Sequence, residues 1–140
     1  MSAAIRIRPA EEADLNDIIA IQTVSPEASQ WQAGDYLRYE TRVAVAGAEI
    51  VGFVVYRTVA PGEHELLNLA VAPAWRRRGI GRALIESVRQ GATGTWFLEV
   101  RESNGASRQL CRGLGFTEIG LRRGYYSNPH ESGIVMRFYS

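Results

Sequence analysis

Leu67-Asn68-Leu69-Ala70-Val71-Ala72-Pro73-Ala74-Trp75-Arg76-Arg77-Arg78-Gly79-Ile80-Gly81-Arg82 is the stretch on which the reading of this chain turns. Its opening residues are largely apolar, as in a strand buried on both faces, and Pro73 ends the run. From Gly79 to Gln90 the apolar residues Ile80, Leu84 and Val88 recur at every fourth position, with Ala83 and Ile85 beside them, which predicts an amphipathic helix closed by Gly91. Taken alone, that helix start is poorly built. Arg76, Arg77, Arg78 and Arg82 put positive charge where the macrodipole favours anions by about 0.3–1 kcal/mol each. Gly79 and Gly81 add about 0.8–1 kcal/mol apiece relative to alanine if they lie in the helix interior. Both features are accounted for if a multiply charged anion sits against the helix, because glycine lets the backbone come close and the free N–H groups point at its oxygens. Phosphate is the obvious anion; the alternative is a solvated arginine run beside flexible glycines. The stretch lacks the Gly-x-x-x-x-Gly-Lys-Ser/Thr of a P-loop, and the third glycine and distal acid of a dinucleotide fingerprint, so ATP and NAD are disfavoured.

Outward from this segment the chain alternates strand and helix. Ile5 to Arg8 reads as a first strand, Glu11 to Ile21 as a helix, Trp31 to Tyr39 as a second short helix, and Arg42–Ala46 with Glu49–Arg57 as a hairpin. A loop is expected from Val59 to Glu63 and a strand from Glu65 to Val71. Beyond the central helix come a strand at Thr95–Val100 and a helix at Asn104–Leu114 with Gly115 at its C-terminal turn. Two more strands follow, Phe116–Leu121 and Ile134–Tyr139. No repeat or linker interrupts them, so residues 1–140 are expected to form one α/β domain with a mixed sheet.

Composition narrows the function. Sixteen basic against fifteen acidic side chains leave a net charge of +1, which argues against broad attraction to nucleic acid or to an anionic membrane. With Cys111 as the single cysteine there is no intrachain disulfide and no cysteine-built metal cluster, and a reducing, cytoplasmic setting is the simplest inference. No metal site is expected. No apolar run is long enough to span a bilayer, and Met1 to Arg8 has no signal-peptide core.

Arg76-x-x-Gly79-x-Gly81, following a strand that ends in Ala70-Val71-x-Pro73, resembles the coenzyme A motif of the GNAT superfamily of N-acetyltransferases. Three later runs extend the likeness to the RimI-type ribosomal-protein-alanine N-acetyltransferases: Leu98-Glu99-Val100-Arg101-x-Ser103-Asn104, Gly113-Leu114-Gly115-Phe116 and Leu121-Arg122-Arg123-Gly124-Tyr125-Tyr126. The resemblance covers about the last seventy-five residues and thins before them. It implies a GNAT fold, with a mostly antiparallel central sheet of six to seven strands flanked by about four helices. It also implies acetyl-CoA as cosubstrate and an amine, most readily a protein or peptide N-terminus, as acceptor. The expected assembly is a monomer or homodimer. A small-molecule amine acceptor and a non-catalytic acyl-CoA sensor are the alternatives.

Carried over by position, the backbone of Leu69, Ala70 and Val71 binds the pantetheine arm, and Arg76, Arg77, Arg78, Gly79, Ile80, Gly81 and Arg82 cradle the pyrophosphate. Asn104 and Ser107 meet the coenzyme at the next helix, although Asn104 is equally a plain N-cap. Glu99 is the first candidate base and Glu65 the reserve, Glu65 sharing side-chain parity with Leu67 and Leu69; an acid at position 99 is otherwise just the solvent face of a half-buried strand. His64 faces the other way. The family's tyrosine acid is replaced by Cys111, which is read as a weaker acid, as a site that Tyr125 or Tyr126 serves instead, as a sign that no acid is needed, or as a small core residue, the last being favoured. Trp31, Tyr125 and Tyr126 are candidate walls of the acceptor groove, with at most one of the two tyrosines inside it if the strand stays regular. Gly124 and Ser132 stand where the family pattern has an asparagine and an acid.

Overall fold

The computed structural model describes residues 4–126 and 130–139. Its strands form one seven-stranded sheet in the order β1 (Ile5–Pro9), β2 (Glu40–Ala46), β3 (Glu49–Ala60), β4 (Glu63–Val71), β5 (Thr95–Arg101), β7 (Glu131–Tyr139) and β6 (Thr117–Tyr126). Every neighbouring pair is antiparallel except β4–β5. Three α-helices, α1 (Leu15–Thr23), α2 (Ile80–Gly91) and α3 (Gly105–Gly113), are joined by 3-10 turns at Glu12–Asp14, Ala33–Arg38 and Pro73–Trp75. The fourth expected helix, over Trp31–Tyr39, is thus one of these 3-10 turns.

Both faces of β2 and β3 are buried, so their alternate residues divide between two cores. Ala44, Val54 and Tyr56 join Trp96, Leu98, Ile134 and Met136 beneath Ile80, Leu84, Ile85 and Val88 of α2, and Cys111 of α3. Val43, Phe53, Val55 and Ala70 pack instead against Ile18 and Ile21 of α1 and Tyr36 of the 3-10 turn. The second core draws its strand residues from β2, β3 and β4, so among the described residues no helix packs on the same face of β5, β7 and β6. Among the described residues, no helix is long and apolar enough to cross a membrane.

The expected loop at Val59–Glu63 shrinks to a turn of Pro61 and Gly62, the latter at φ 73°, because β3 runs on to Ala60 and β4 starts at Glu63. The Gly62 carbonyl takes the Thr95 N–H at 2.8 Å, and a Cβ on Gly94 would lie 2.2 Å from that carbonyl oxygen. Only glycine at 94 lets β5 begin against this turn.

Parallel pairing of β4 with β5 covers Glu63↔Thr95, His64↔Trp96 and Glu65↔Phe97. Past Glu65 the two strands part. Val55 opposes Asn68 while Tyr56 opposes Leu66, so Leu67 is the extra residue of a bulge that bends β4 as it leaves β5. The bulge also overturns one expected parity: Leu67 packs toward the α1 side and Leu69 toward the α2 side, so Glu65 shares a face with Leu67 but not with Leu69.

Candidate active site

The loop before α2 turns sharply. Arg77 has φ 63°, the one non-glycine residue of positive φ among the described residues, and Gly79 follows at φ 79° as the N-cap. No side chain caps this helix, and its ladder opens with Ala83 N–H to Gly79 O at 3.0 Å, leaving the N–H groups of Ile80, Gly81 and Arg82 ahead of it. Left-handed residues on either side of Arg78 fold the main chain into the kind of concavity that gathers N–H donors around an anion. A Cβ at Gly79 would meet nothing within 4 Å, so this glycine serves backbone conformation. At Gly81 a Cβ would lie 3.3 Å from Leu110 Cδ2, so that glycine also lets α2 approach α3.

The arginines of this loop are not equivalent. Arg76 donates through Nε to Val71 O at 2.9 Å, and through Nη2 to Ser25 Oγ at 3.1 Å and to Glu27 at 3.3 Å, tying the end of β4 to the loop after α1. Arg78 lies over the Trp75 ring at 4.8 Å, and Arg82 reaches Glu86 and the Gly113 carbonyl, each at 3.4 Å. Asn104 caps α3, its Oδ1 accepting the Ser107 N–H at 3.2 Å, so its structural role is realised. Uncapped donors, a Cβ-free cradle and surrounding cations together fit a diphosphate at the start of α2.

Glu99 lies on the uncovered face. Its neighbours Leu98 and Val100 point into the α2-side core, so the carboxylate emerges on the other side, just where β4 and β5 separate. It is 19% exposed and stands over Gly133, whose Cβ, if it had one, would sit 3.1 Å from the Glu99 Cγ and Cδ atoms. Burial pushes its pKa above the ordinary carboxylate value, Arg122 at 3.5 Å pulls it down, and the charge of Glu65 raises it. Glu65 itself is held by Arg57 at 3.0 Å.

Tyr126 shares the Gly133 platform, and burial together with the Glu99 charge pushes its phenol up to about 12. Its ring meets the Tyr125 ring edge-on at 5.1 Å. Both rings gather on one side because β6 is irregular between Arg122 and Tyr126, with Gly124 at φ 60°; the regular-strand condition that would have parted them does not hold. Trp31 stacks beside Tyr36 and Tyr39 at 5.1 and 5.5 Å and packs on the α1-side core. His64 is buried against Trp96, bonded to Thr58 Oγ1 and to the Thr93 carbonyl. Cys111 is 3% exposed in the α2-side core, where burial raises its thiol to about 11.

The acetyltransferase (GNAT) family model matches residues 11–116. This chain belongs to the GNAT acetyltransferase family. It is 38% identical over 106 residues, 71% of this chain and 70% of the relative, to the [ribosomal protein bS18]-alanine N-acetyltransferase of Salmonella typhimurium. The crystal structure of the ribosomal-protein-S18-alanine N-acetyltransferase from Escherichia coli superposes with TM-score 0.80 at 30% identity, covering 96% of this chain and 93% of that one. An acetyltransferase from Bacillus subtilis solved in complex with CoA shares the fold, with TM-score 0.77 at 22% identity over 98% of this chain and 99% of that one. As a GNAT protein the chain is an acyltransferase of the N-acetyltransferase type, from a family whose acyl donor is acetyl-CoA.

Within this GNAT site, two contributors escaped the residue-by-residue reading. Arg122 reaches Glu99 only through the pairing of β6 with β7 and of β7 with β5, which no local pattern announces. Asn68 receives the Ser29 N–H on its Oδ1 at 3.1 Å and donates to the Ser29 carbonyl and the Tyr36 hydroxyl, each at 3.0 Å, fastening the β4 bulge to the loop that carries Trp31. An asparagine inside an apolar strand was the available signal.

Proposed function

We propose that this chain transfers the acetyl group of acetyl-CoA directly to the α-amine of a protein or peptide N-terminus in the cytoplasm, with Glu99 as base. The observation that carries this reading is a largely buried carboxylate on the uncovered sheet face, at the point where β4 and β5 part. Bound acetyl-CoA supplies an acetyl thioester. The main-chain edge of Leu69, Ala70 and Val71 takes the pantetheine arm, the Arg76–Arg82 segment takes the diphosphate through its N–H groups and cations, and Asn104 and Ser107 close the coenzyme side at α3. Acetyl-CoA is the only cofactor proposed.

An amine attacks only when neutral. An α-amino group of pKa about 8 is easier to deprotonate than lysine at about 10.4 by roughly 3 kcal/mol, which favours N-termini as acceptors. Glu99, directly or through water, takes the proton, the nitrogen–carbon bond forms, and the carbon–sulfur bond breaks. Cys111 stays in the core; a departing thiol of ordinary pKa, about 8.5, needs no dedicated acid near neutral pH. Tyr126 and Tyr125 form one wall of the groove and Trp31 the other, with Glu65 holding charge nearby. The name of the Salmonella relative supports a protein N-terminus as the acceptor.

The test is thiol release from acetyl-CoA with peptides bearing free or blocked N-termini, the product located by mass. Transfer to free α-amines is expected, with kcat reduced about 100- to 1,000-fold in Glu99→Gln. Modification of polyamines or amino sugars alone, or tight coenzyme binding with no thiol release, would overturn the reading.

A further inference from the structure

We infer that Arg122 occupies the acceptor's place on Glu99 in the free enzyme, and that on displacement it selects acceptors carrying a carboxylate close behind the reacting amine. This rests on the acceptor reading above. The Arg122 Nε lies 3.5 Å from Glu99 Oε1, so a guanidinium already makes the contact that an arriving ammonium needs. The same guanidinium sits 4.6 Å from the centre of the Tyr125 ring, and both side chains are more than half exposed, at 56% and 54%. The Arg122 end of this pair is open to solvent and its contact is long, so a substrate arriving from the solvent side can displace the guanidinium. Stacking on Tyr125 keeps the released cation at the groove wall instead of free in solution.

Around Glu99 the described charged and titratable groups are Arg122 and Tyr126 from β6 and Glu65 from β4, while β7 contributes Gly133. Glu65 is bonded to Arg57, and on the far side Arg101 is bonded to Glu131 and lies over the Tyr126 ring. Arg122 is therefore the cation whose partner the acceptor itself takes. A carboxylate on the acceptor's second or third residue restores that pairing; an arginine there meets like charge.

The test uses the whole chain saturated with coenzyme A and two peptides that differ only in aspartate or arginine at the second position, with dissociation constants measured by calorimetry. The parent is expected to prefer the aspartate peptide by about tenfold. Arg122→Gln should level the two, and Arg122→Glu should reverse them. In parallel, the Glu99 carboxyl titration followed by carbon NMR in the peptide-free protein should move to higher pH in Arg122→Gln, which a merely structural arginine would not cause. An unchanged peptide preference in Arg122→Gln, an unmoved titration, or failure of either peptide to bind overturns the inference. Failure of the acceptor reading shows differently, as peptides that bind with this preference but are never acetylated.

Discussion

Glu99 is at once the proposed base and a carboxylate whose burial disfavours its charge. A folded-state pKa raised above the unfolded one means that its contribution to stability is present in acid and is lost as pH rises through the folded value. Glu99→Gln should therefore abolish most turnover yet melt at or above the parent temperature near neutral pH, an advantage that closes below about pH 4. Thermal melts at the two pH values check the sign. In the parent, kcat/KM should rise with pH through a value above that of a free glutamate, because the base must be ionised to act. Cys111 offers the contrast: Cys111→Ala removes one buried sulfur, should cost about 1 kcal/mol by denaturant unfolding, and should leave kcat unchanged. Cys111→Tyr should destabilise the fold, since a ring at this place overpacks the core.

At the level of elements, the start of α2 and the strand before it were readable because their composition contradicts a self-sufficient helix. Gly79 separates conformation from packing: a Cβ there meets nothing, yet φ 79° strains any other residue by about 1–2 kcal/mol. Gly79→Ala should weaken coenzyme A binding about tenfold by calorimetry, since the N–H groups behind it lose their aim. Gly81→Ala also disturbs the contact with Leu110, so it loses stability as well and is the poorer probe. What was not readable comes from register. The bulge at Leu67 adds one residue to β4 and the irregular end of β6 around Gly124 adds two, neither with a local signature, yet one opens β4 from β5 and the other brings Tyr125 and Tyr126 together. A turn was expected within Val59–Glu63, but its tightness was hidden, because its hold on β5 depends on Gly94, some thirty residues away.

Across the whole molecule, the sheet is closed on both faces in its first half and on one face in its second, and the two proposed substrates use the difference. In the proposed arrangement coenzyme A comes to the parted edge beside α2 and α3, the acceptor comes to the bare face of β5, β7 and β6, and the two meet at Glu99. The insertion of β7 between β5 and β6, which puts Gly133 beneath Glu99, is a property of the complete sheet and could not be read from any segment. A ligand seated in that opening should stabilise the fold: at a hundredfold excess over its dissociation constant, coenzyme A should add about 2.7 kcal/mol, or about 5–10 °C in Tm. The most direct check is an amide NMR titration with coenzyme A in the assigned protein. The predicted result is that the largest shifts fall on Gly79, Ile80, Gly81 and Arg82, with a second set along Leu69–Val71; shifts confined to the hollow beside Asp17, Val24 and Glu49, with the start of α2 unmoved, would contradict it.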